Sequence, residues 1–448
     1  MLKRSIFIFR RDLRLQDNLG LIEAMEASHS VIPVFIIDPQ LLARWRGAEK
    51  RLTFLTMALR KLDETLRARG SRLVVLEGRP IDVVSDLIDS HAVDGVFINR
   101  DYTPVARRRD ANLRTLCESK NVQFFTYTDL LLNEPEYVAK ADGSPYTIFT
   151  PYYKKAQQLR ILDPVEFSES NLEYFDHDNV LSPISLAGSL EDESGINSVD
   201  VVDKLERISG LADYDSSRDL PSIEGTARLS ALLRFGLVSV RQVYQSVNKA
   251  HSTSHGLIRQ LYWRDFYFQI GYHFPHVYHS SFREKYRNIP WSNDESAFKK
   301  WQEGKTGFPI VDAGMRGLLE TGYMHNRVRM ITASFLTKNL HIDWRKGEAH
   351  FGKHLLDHDP ALNNGNWQWS ASTGCDAQPY FRVFNPWRQQ KRFDNECRYI
   401  KRWVPELENR SAKEIHALET HDDYYLPKIT NLKISAEESK AMFKAAGS

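Results

Sequence analysis

Residues 31–37 read VIPVFII, an apolar run made mostly of β-branched residues, which is typical of a buried β-strand. Further runs of the same kind are SIFIF at 5–9, RLVVLEG at 72–78 and GVFIN at 95–99. Between two of them, residues 51–70 place apolar side chains at helical spacing and end at Gly70, which predicts an amphipathic helix. Strands that alternate with helices predict a parallel, Rossmann-like α/β domain.

In an open parallel sheet, ligands bind beyond the carboxyl ends of the strands. Polar residues follow the predicted strands at that edge, namely Arg10 to Asp12, Asp38, and Arg100 to Asp101. No G-x-G-x-x-G pattern follows any of these strands, so the usual Rossmann mode of dinucleotide binding is not expected. The sequence GKTG at 304–307 is not a phosphate-binding loop either, because position 299 is lysine rather than the required glycine.

The composition limits the classes of protein to which the chain can belong. With 448 residues, 42% hydrophobic and 26% charged, the chain predicts a globular protein of two domains. The three cysteines, at positions 117, 375 and 397, form no metal-binding or disulfide pattern, which favours a reducing, cytoplasmic location. The N-terminal apolar run is too short for a signal peptide and no run reaches about 18 apolar residues, so no membrane association is expected.

The second half of the chain has a different pattern. Residues 163–205 are rich in Ser, Asp, Glu and Asn, which predicts an extended acidic connector. Beyond it, the periodicity is helical and the sequence is crowded with aromatic and arginine residues. We therefore predict an α/β domain at 1–130, a connector at 131–204 and an all-α domain at 205–448.

Two further patterns leave alternatives open. Basic residues cluster at 107–109, 154–155, 382–392 and 401–402, which suits phosphate contacts or, more commonly, a solvated face. His350, His354 and His358 are spaced four apart, as ligands of a metal on one helix face would be. The Asp359-Pro360 pair predicts that this helix ends there, so we expect no metal site.

Four segments of the second half mix polar groups with aromatic rings in a way that a plain core would not need. They are EGTARLSALLRFG (224–236), LYWRDFYFQ (261–269), MHNRVRMITASFL (324–336) and NNGNWQWSASTGCDAQPYFR (363–382). One such segment is explained by a core with satisfied polar groups. Four of them in one helical domain indicate a binding site.

These segments carry a resemblance to the DNA photolyase/cryptochrome family. The resemblance runs from FRRDLRLQDN (9–18) through EGTARLS, YWRDFY, WQEGKTGFPIVDAGMR (301–316), HNRVRMI and DHDPALNNGNWQWSASTGCDAQPYFRVFNP (357–386) to WVPEL (403–407). It implies an N-terminal antenna-chromophore domain and a helical domain that binds FAD in a folded conformation.

The resemblance also implies the residues that contact FAD. Those at the phosphates and ribityl chain are Tyr214, Thr226, Ala227, Arg228, Leu229 and Ser230. Ala227 departs from the serine that family members commonly have. Asp357 and Asp359 match positions that face the isoalloxazine edge, with Arg329 as the partner of Asp357. Asn363 matches the residue opposite flavin N5.

Trp291, Trp344 and Trp367 match the family's tryptophan chain, through which a photoexcited flavin is reduced from the protein surface. An indole is oxidised relatively easily, which suits it to this role. Large core residues would look the same in the sequence. Only the coincidence with all three family positions favours electron transfer.

On the substrate side, Trp263 and Trp369 match the two aromatic residues that cradle a flipped, damaged dinucleotide in photolyases. Stacking of this kind is worth about 1–3 kcal/mol per base. Asn326 and Met330, one helical turn apart, are the residue types of cyclobutane-dimer enzymes. Gln260 stands where those enzymes usually have glutamate, so it keeps a donor and an acceptor but loses the ionisable proton.

The resemblance assigns the DNA-contacting rim to Arg218, Arg264, Arg327 and Gln389. In the antenna domain, NRDYTPVARRRD (99–110) has the Thr-Pro type of sequence seen in members with a deazaflavin or a second flavin. This favours 8-hydroxy-5-deazaflavin, with Asp101 as a contact. FMN, FAD or an empty site stay open.

The function that the resemblance implies is light-driven repair of cyclobutane pyrimidine dimers by a monomeric enzyme acting on UV-damaged DNA. The alternatives are a cryptochrome-type blue-light photoreceptor, a (6-4) photoproduct lyase, and a DNA-binding module without flavin.

Overall fold

A computed structural model describes residues 1–168, 171–176, 199–253, 255–420 and 424–447. The chain divides into two compact units. The first, here called the sheet unit, comprises Met1–Tyr146, Thr150–Gly210 and Arg228–His273. The second, called the helical unit, comprises Thr147–Phe149, Leu211–Ala227 and Phe274–Ser448.

The sheet unit is built on five parallel strands in the order β3-β2-β1-β4-β5. The strands are β1 (Leu2–Phe9), β2 (Ser28–Ile37), β3 (Val74–Glu77), β4 (Gly95–Asn99) and β5 (Gln123–Tyr127). The four strands that the sequence predicts are therefore confirmed. The sequence analysis missed β5 because this edge strand, QFFTY, is only partly buried and has no long apolar run.

Helices cover the sheet and fill the rest of this unit. They are α1 (Leu19–Ala27), α2 (Pro39–Arg44), α3 (Glu49–Arg67), α4 (Pro80–His91), α5 (Pro104–Ser119), α6 (Phe149–Ala156), α7 (Val201–Glu206), α9 (Ser230–Phe235), α10 (Val240–Ala250) and α11 (Gly256–His273). The helix predicted at 51–70 is confirmed as α3. The chain leaves it through Gly70, whose φ of 74° lies in the left-handed region that favours glycine. Ile, Val and Leu side chains of the strands pack with α4 and α5 into one core.

Buried ion pairs tie the segment Arg228–His273 to the sheet unit. Arg241 Nη2 donates to Asp129 at 2.8 Å and its Nε lies 3.0 Å from Asp17 Oδ2. Arg14 Nη2 donates to the same Asp129 at 2.7 Å. These four side chains are at most 7% exposed. The predicted domain limits 1–130, 131–204 and 205–448 stay predictions.

The helical unit is all-α in its described part, as predicted for the second half of the chain. Its helices are α8 (Tyr214–Ser217), α12 (Glu295–Gln302), α13 (Pro309–Thr321), α14 (Asn326–Lys338), α15 (Trp344–His354), α16 (Pro360–Ala371), α17 (Pro386–Phe393), α18 (Arg398–Trp403), α19 (Ala412–Ala417) and α20 (Leu432–Gly447). Its core is unusually aromatic and centres on the buried rings of Trp301, Trp344 and Trp367.

The GKTG stretch at 304–307 has a structural role in this unit. Asp312, at the start of α13, is fully buried and accepts hydrogen bonds from Thr306 N and Oγ1, both at 2.7 Å. Gly307 N at 3.1 Å and Tyr425 Oη at 2.8 Å complete its shell. The GKTG stretch therefore forms a turn that Asp312 holds in place.

Most of the acidic stretch at 163–205 lies outside the described residues, so its prediction as an extended connector is not tested. Residues 171–176 run beside the sheet, where Asn171 O accepts from Val31 N at 3.1 Å and Glu173 N donates to Val31 O at 2.8 Å. Among the helices described, none has the length and apolar character that crossing a membrane requires.

Candidate functional site

Helix α16 carries three of the predicted site residues, Asn363, Trp367 and Trp369. It begins at Asp359, whose carboxylate accepts from Ala361 N at 2.9 Å and Leu362 N at 3.2 Å, with Pro360 in the first turn. The cap is 2% exposed, so the start of the helix is fixed from inside the protein. Small and amide residues fill the rest of the helix, which leaves room between its two tryptophans.

The predicted pairing of Arg329 with Asp357 is present. Arg329 Nη2 donates to Asp357 Oδ2 at 2.9 Å, and its Nε donates to Met324 O at 2.7 Å. A guanidinium held at two points keeps a fixed positive charge beside a carboxylate that is 7% exposed. The contact of this pair with a flavin stays a prediction.

Asn363 is held by the neighbouring helix α15. Its Nδ2 donates to the main-chain oxygen of Glu348 at 3.0 Å. The side chain of Glu348 in turn accepts from Asn364 Nδ2 at 3.1 Å. Burial raises the pKa of Glu348 to about 7, against the opposing effects of the Asn364 hydrogen bond and the charge of Arg345. The sequence analysis missed Glu348, because no motif marks it.

We expect a Glu348→Gln protein to lose part of the pH dependence of folding. The folded pKa of Glu348 lies above its ordinary value of about 4.3, so the carboxyl stabilises the fold below that pH and this stabilisation is lost as the pH rises toward 7. Glutamine can still accept from Asn364 but cannot ionise. The free energy of unfolding, measured by denaturant titration at several pH values, should therefore fall less steeply with pH in the variant; identical slopes would contradict the assignment.

The three tryptophans predicted to carry electrons share one core. Trp344 and Trp367 are 0% and 2% exposed, and Trp291 packs, partly buried, against the same cluster. Trp291 is positioned by its neighbour Ser292, whose N donates to His341 O at 2.7 Å, close in sequence to Trp344. The indole N–H groups of Trp344 and Trp367 have no hydrogen-bond partner among the described residues.

Rings and a glycine fix the position of Trp367. Its ring centroid lies 4.9 Å from that of Phe351 and 6.2 Å from that of Trp301, both in edge-to-face geometry. A Cβ at Gly347 would lie 2.2 Å from Trp367 Cη2, so only glycine fits beneath the indole. Trp301, which the sequence analysis did not select, donates its Nε1 to Thr332 O at 3.1 Å and belongs to the same cluster.

On the predicted substrate side, the helical unit brings together two residues of α14. Asn326 Nδ2 lies 3.8 Å from Met330 Sδ, so the two share a face as predicted. Asn326 is exposed and Met330 half-buried. Trp369 is half-buried on α16, in contrast to the buried Trp367 of the same helix.

In the sheet unit, α11 carries Gln260, Trp263 and Arg264. Gln260 and Trp263 are half-exposed. Arg264 is 9% exposed, and its Nη1 donates to Leu130 O at 2.7 Å and lies 3.3 Å from Asp265 Oδ1. The sequence could not show this hydrogen bond, because the acceptor lies 134 positions away. The contact of Arg264 with DNA stays a prediction.

The other residues predicted for the DNA rim lie in the helical unit. Arg327 Nη2 donates to Asp219 Oδ2 at 2.6 Å, and its guanidinium lies 4.3 Å from the ring centroid of Phe393. Arg218 is partly exposed beside Asp215, at 3.8 Å. Gln389 is half-buried. Exposed basic side chains from the predicted clusters of this unit are Arg382, Arg388, Lys391, Arg392 and Arg402.

The segment predicted to contact the FAD phosphates is divided between the units. In the helical unit, Tyr214 is 6% exposed and burial raises the pKa of its hydroxyl, while Ala227 is 3% exposed and Thr226 half-buried. A Cβ on the preceding Gly225 would lie 2.7 Å from Ser217 O, so the backbones approach closely there. In the sheet unit, Arg228 has a φ of 50°, Leu229 is buried and Ser230 begins α9.

Comparison with known proteins identifies the family. Residues 5–169 match the family model described as DNA photolyase. Residues 257–445 match the model described as the FAD binding domain of DNA photolyase. The chain is 37% identical, over 92% of its length and 89% of the relative, to a protein of Synechococcus named deoxyribodipyrimidine photo-lyase. The chain belongs to the DNA photolyase family.

Solved structures agree with this assignment. An archaeal photolyase of Sulfolobus tokodaii, described with two FAD molecules, superimposes with a TM-score of 0.89 at 39% identity, covering 99% of this chain and 100% of that one. A cryptochrome of Synechocystis superimposes with a TM-score of 0.88 at 26% identity, covering 99% of both chains. The resemblance and the two-part photolyase fold expected from the sequence are thereby confirmed.

The residues predicted to lie near an antenna chromophore are at the carboxyl edge of the sheet, where charged side chains neutralise one another. Asp101 Oδ1 accepts from Tyr102 N at 2.7 Å and lies 3.3 Å from Arg11 Nη1. Burial alone would raise the pKa of Asp101, but Arg11, Arg109 and Arg10 outweigh it and lower the pKa to about 2. Asp101 is therefore a fixed anion at the edge where the sequence predicts a ligand.

The histidines spaced four apart do not share one helix face, because α15 ends at His354, one turn before His358. The rings of His350 and His354 lie 4.5 Å apart, and His350 Nδ1 is 3.1 Å from Gln302 Nε2. Within the described residues, no group of His, Cys, Asp or Glu side chains has an arrangement that could hold a metal ion.

Proposed function

We propose that this chain is a deoxyribodipyrimidine photo-lyase, a carbon–carbon lyase that uses reduced FAD and light to split cyclobutane pyrimidine dimers in UV-damaged DNA. The observation that carries the proposal is helix α16. It holds Asn363 against α15, buries Trp367 in an aromatic core, and leaves Trp369, two residues further on, half-exposed. The names of relatives such as the Synechococcus enzyme support it.

The residues present fit FAD. The fixed Arg329–Asp357 pair and the oriented amide of Asn363 offer charge and hydrogen bonding of the kinds that a flavin needs. When bound and reduced, FAD supplies the electron that opens the dimer under light. Asp357, Asp359 and Arg329 would hold the isoalloxazine edge, and Tyr214 with residues 226–230 would hold the phosphates and ribityl chain.

The protein's own part is to position the lesion and exclude water. Trp369 and Trp263 would stack on flipped bases, and Asn326 and Met330 would contact them. Arg218, Arg327 and Gln389 would bind backbone phosphates, together with the exposed arginines of the 382–392 segment. Trp291, Trp344 and Trp367 would carry electrons for photoreduction.

For the antenna, we propose 8-hydroxy-5-deazaflavin held near Asp101. The relative of Sulfolobus tokodaii with two FAD molecules makes FAD the main alternative, ahead of FMN or an empty site. Acid extraction of the purified protein followed by mass spectrometry of the released chromophores decides among them. A deazaflavin mass supports the proposal, and a second equivalent of FAD, an FMN or a single chromophore overturns it.

The repair function is tested with the photoreduced protein and a DNA oligonucleotide that contains one thymine cyclobutane dimer, in light and in darkness, beside the same oligonucleotide with a (6-4) lesion. We expect the absorbance of the thymine band to return only in light and only for the dimer. Recovery for the (6-4) lesion instead would assign the other lyase. No recovery from a flavin-containing, photoreducible protein would assign a cryptochrome-type photoreceptor, and a colourless protein a DNA-binding module.

A further inference from the structure

Two arginines of the helical unit lie on one aromatic ring. The guanidinium of Arg327, in the first turn of α14, lies 4.3 Å from the ring centroid of Phe393, and that of Arg392 lies 5.0 Å from the same centroid. Phe393 is the last residue of α17 and is 7% exposed. The ring therefore attracts both guanidinium groups and restricts their movement without neutralising their charge.

One carboxylate lies against these two positive charges. Asp219 Oδ2 accepts from Arg327 Nη2 at 2.6 Å, a short charge-assisted hydrogen bond. The side chains of Arg327 and Asp219 are 16% and 32% exposed, so salt screens this pair less than it screens a fully exposed pair. Arg392 is exposed and forms no ion pair with a carboxylate of the described residues. The group therefore keeps a positive charge, and Asp219 neutralises part of it.

Carboxylates and phosphates compete for the same donors of a guanidinium, because both present anionic oxygens to its planar N–H groups. The oxygen of Asp219 takes the place on Arg327 that a phosphate oxygen of the DNA backbone would need. A phosphate that displaces Asp219 breaks the present ion pair, and one that binds beside it brings two negative charges together. In both cases the carboxylate of Asp219 weakens the binding of a phosphate to Arg327.

We propose that Asp219 is an internal competitor for the phosphate contact of Arg327 and keeps the affinity of this chain for undamaged DNA low. The inference rests on the proposed repair function, in which Arg327 binds the DNA backbone, and it adds Asp219 as the residue that sets the strength of this contact. Phosphate contacts occur on damaged and undamaged DNA alike. An enzyme that must leave its repaired product is therefore helped by a weak phosphate contact.

The test measures Kd for an undamaged duplex in darkness at several salt concentrations, with the full flavin-containing chain and its Asp219→Asn variant. Asparagine keeps a side-chain oxygen that accepts from Arg327 but removes the negative charge. The plot of log Kd against log salt concentration should be steeper for the variant by about 0.9, the slope of one phosphate contact. At about 50 mM salt the variant should bind at least about threefold more tightly, and this gain should shrink by about threefold to fourfold at about 200 mM.

Glu406→Gln is the matched control from the same unit. Glu406 Oε2 lies 2.7 Å from Arg316 Nη1, and the two side chains are 49% and 19% exposed. This variant changes the net charge by the same amount and also removes the carboxylate that pairs with an arginine, but Arg316 has no place in the predicted DNA rim. Its Kd and salt dependence should match those of the unsubstituted protein. Equal gains in affinity for the two variants would show an effect of net charge alone and overturn the inference.

Arg327→Gln shows whether Asp219 acts through Arg327. In a protein that already carries Arg327→Gln, the further change Asp219→Asn should alter neither Kd nor the salt dependence, because no guanidinium remains to be released. A gain in affinity in this background overturns the inference, as does an unchanged or weaker affinity of the single Asp219→Asn variant. The flavin absorbance of each variant is measured alongside, and loss of flavin from Asp219→Asn would make Asp219 a structural residue and overturn the inference too.

The outcomes also separate this inference from the proposed function. Binding of an undamaged duplex in darkness requires neither a lesion nor light, so it is measured independently of repair. A protein that repairs dimers in light but gains no affinity on Asp219→Asn contradicts only the role of Asp219. A protein that repairs no dimer contradicts the repair function itself.

Discussion

The Trp367→Phe protein is expected to lose photoreduction of its bound flavin while it keeps its fold. Phenylalanine fills most of the space between Phe351, Trp301 and Gly347, but its ring is far harder to oxidise than an indole. A chain of electron donors fails when any one of its members fails, so a single substitution has nearly the full effect. The measurement is the absorbance change of the flavin in the oxidised protein under blue light with an external reductant. The rate of photoreduction should fall to the rate at which the external reductant reduces the flavin directly, without the tryptophan chain.

Trp387→Phe is the matched control. Trp387 is 3% exposed in the same core, with its ring centroid 5.5 Å from that of Phe308, but it has no place in the predicted chain. The flavin of the Trp387→Phe protein should therefore be photoreduced at the normal rate. Chemically reduced Trp367→Phe protein should still repair dimers, because repair then needs no electron from the surface. Normal photoreduction by the Trp367→Phe protein would refute its role as an electron carrier.

Asp129→Ala should destabilise the sheet unit by about 3–5 kcal/mol, the cost of breaking a buried ion pair from one side. Asp129 contacts Arg14 at 2.7 Å and Arg241 at 2.8 Å, and all three side chains are at most 6% exposed. Alanine would leave the guanidinium of Arg14 without the carboxylate of Asp129. The guanidinium of Arg241 would keep only the carboxylate of Asp17. The measurement is the free energy of unfolding by denaturant titration at neutral pH.

The pH dependence of the same network has a definite sign. Burial alone would raise the pKa of Asp129, but the charges of Arg14 and Arg241 outweigh it and the pKa is lowered. The network therefore stabilises the fold above the ordinary aspartate pKa of about 3.9, and this stabilisation is lost as the pH falls through the lower folded value. The Asp129→Ala protein should lack this acid-sensitive contribution to the free energy of unfolding.

Asp82→Ala serves as the control for Asp129→Ala. Asp82 pairs with Arg79 at 2.5 Å, a contact as short as those in the network, but both side chains are at least half exposed. Water screens such a pair, so no measurable loss of stability is expected. If the two variants were equally stable, the buried network would not be what joins the segments of the sheet unit.

The sequence by itself determined four of the five strands of the sheet, helix α3 and the family. The runs at 5–9, 31–37, 72–78 and 95–99 predict strands because a buried strand needs contiguous apolar residues, and helix α3 follows from its apolar spacing. The family follows from motifs such as residues 357–386, whose residue types match position by position. The same motifs place Asn363, Trp367 and Trp369 on one segment, which the structure forms into helix α16.

Only the tertiary structure decided which residues meet over long distances. It joins Asp17 to Arg241, fixes Asn363 and Asn364 on Glu348, places Trp301 beside Trp367, and buries Arg264. It also shows that GKTG is a turn held by Asp312 and that the half-exposed strand β5 completes the sheet. The physical reason is common to all of these: local periodicity records which side of an element faces the core, but the partner of a buried charge or ring lies far along the chain, where no local pattern marks it.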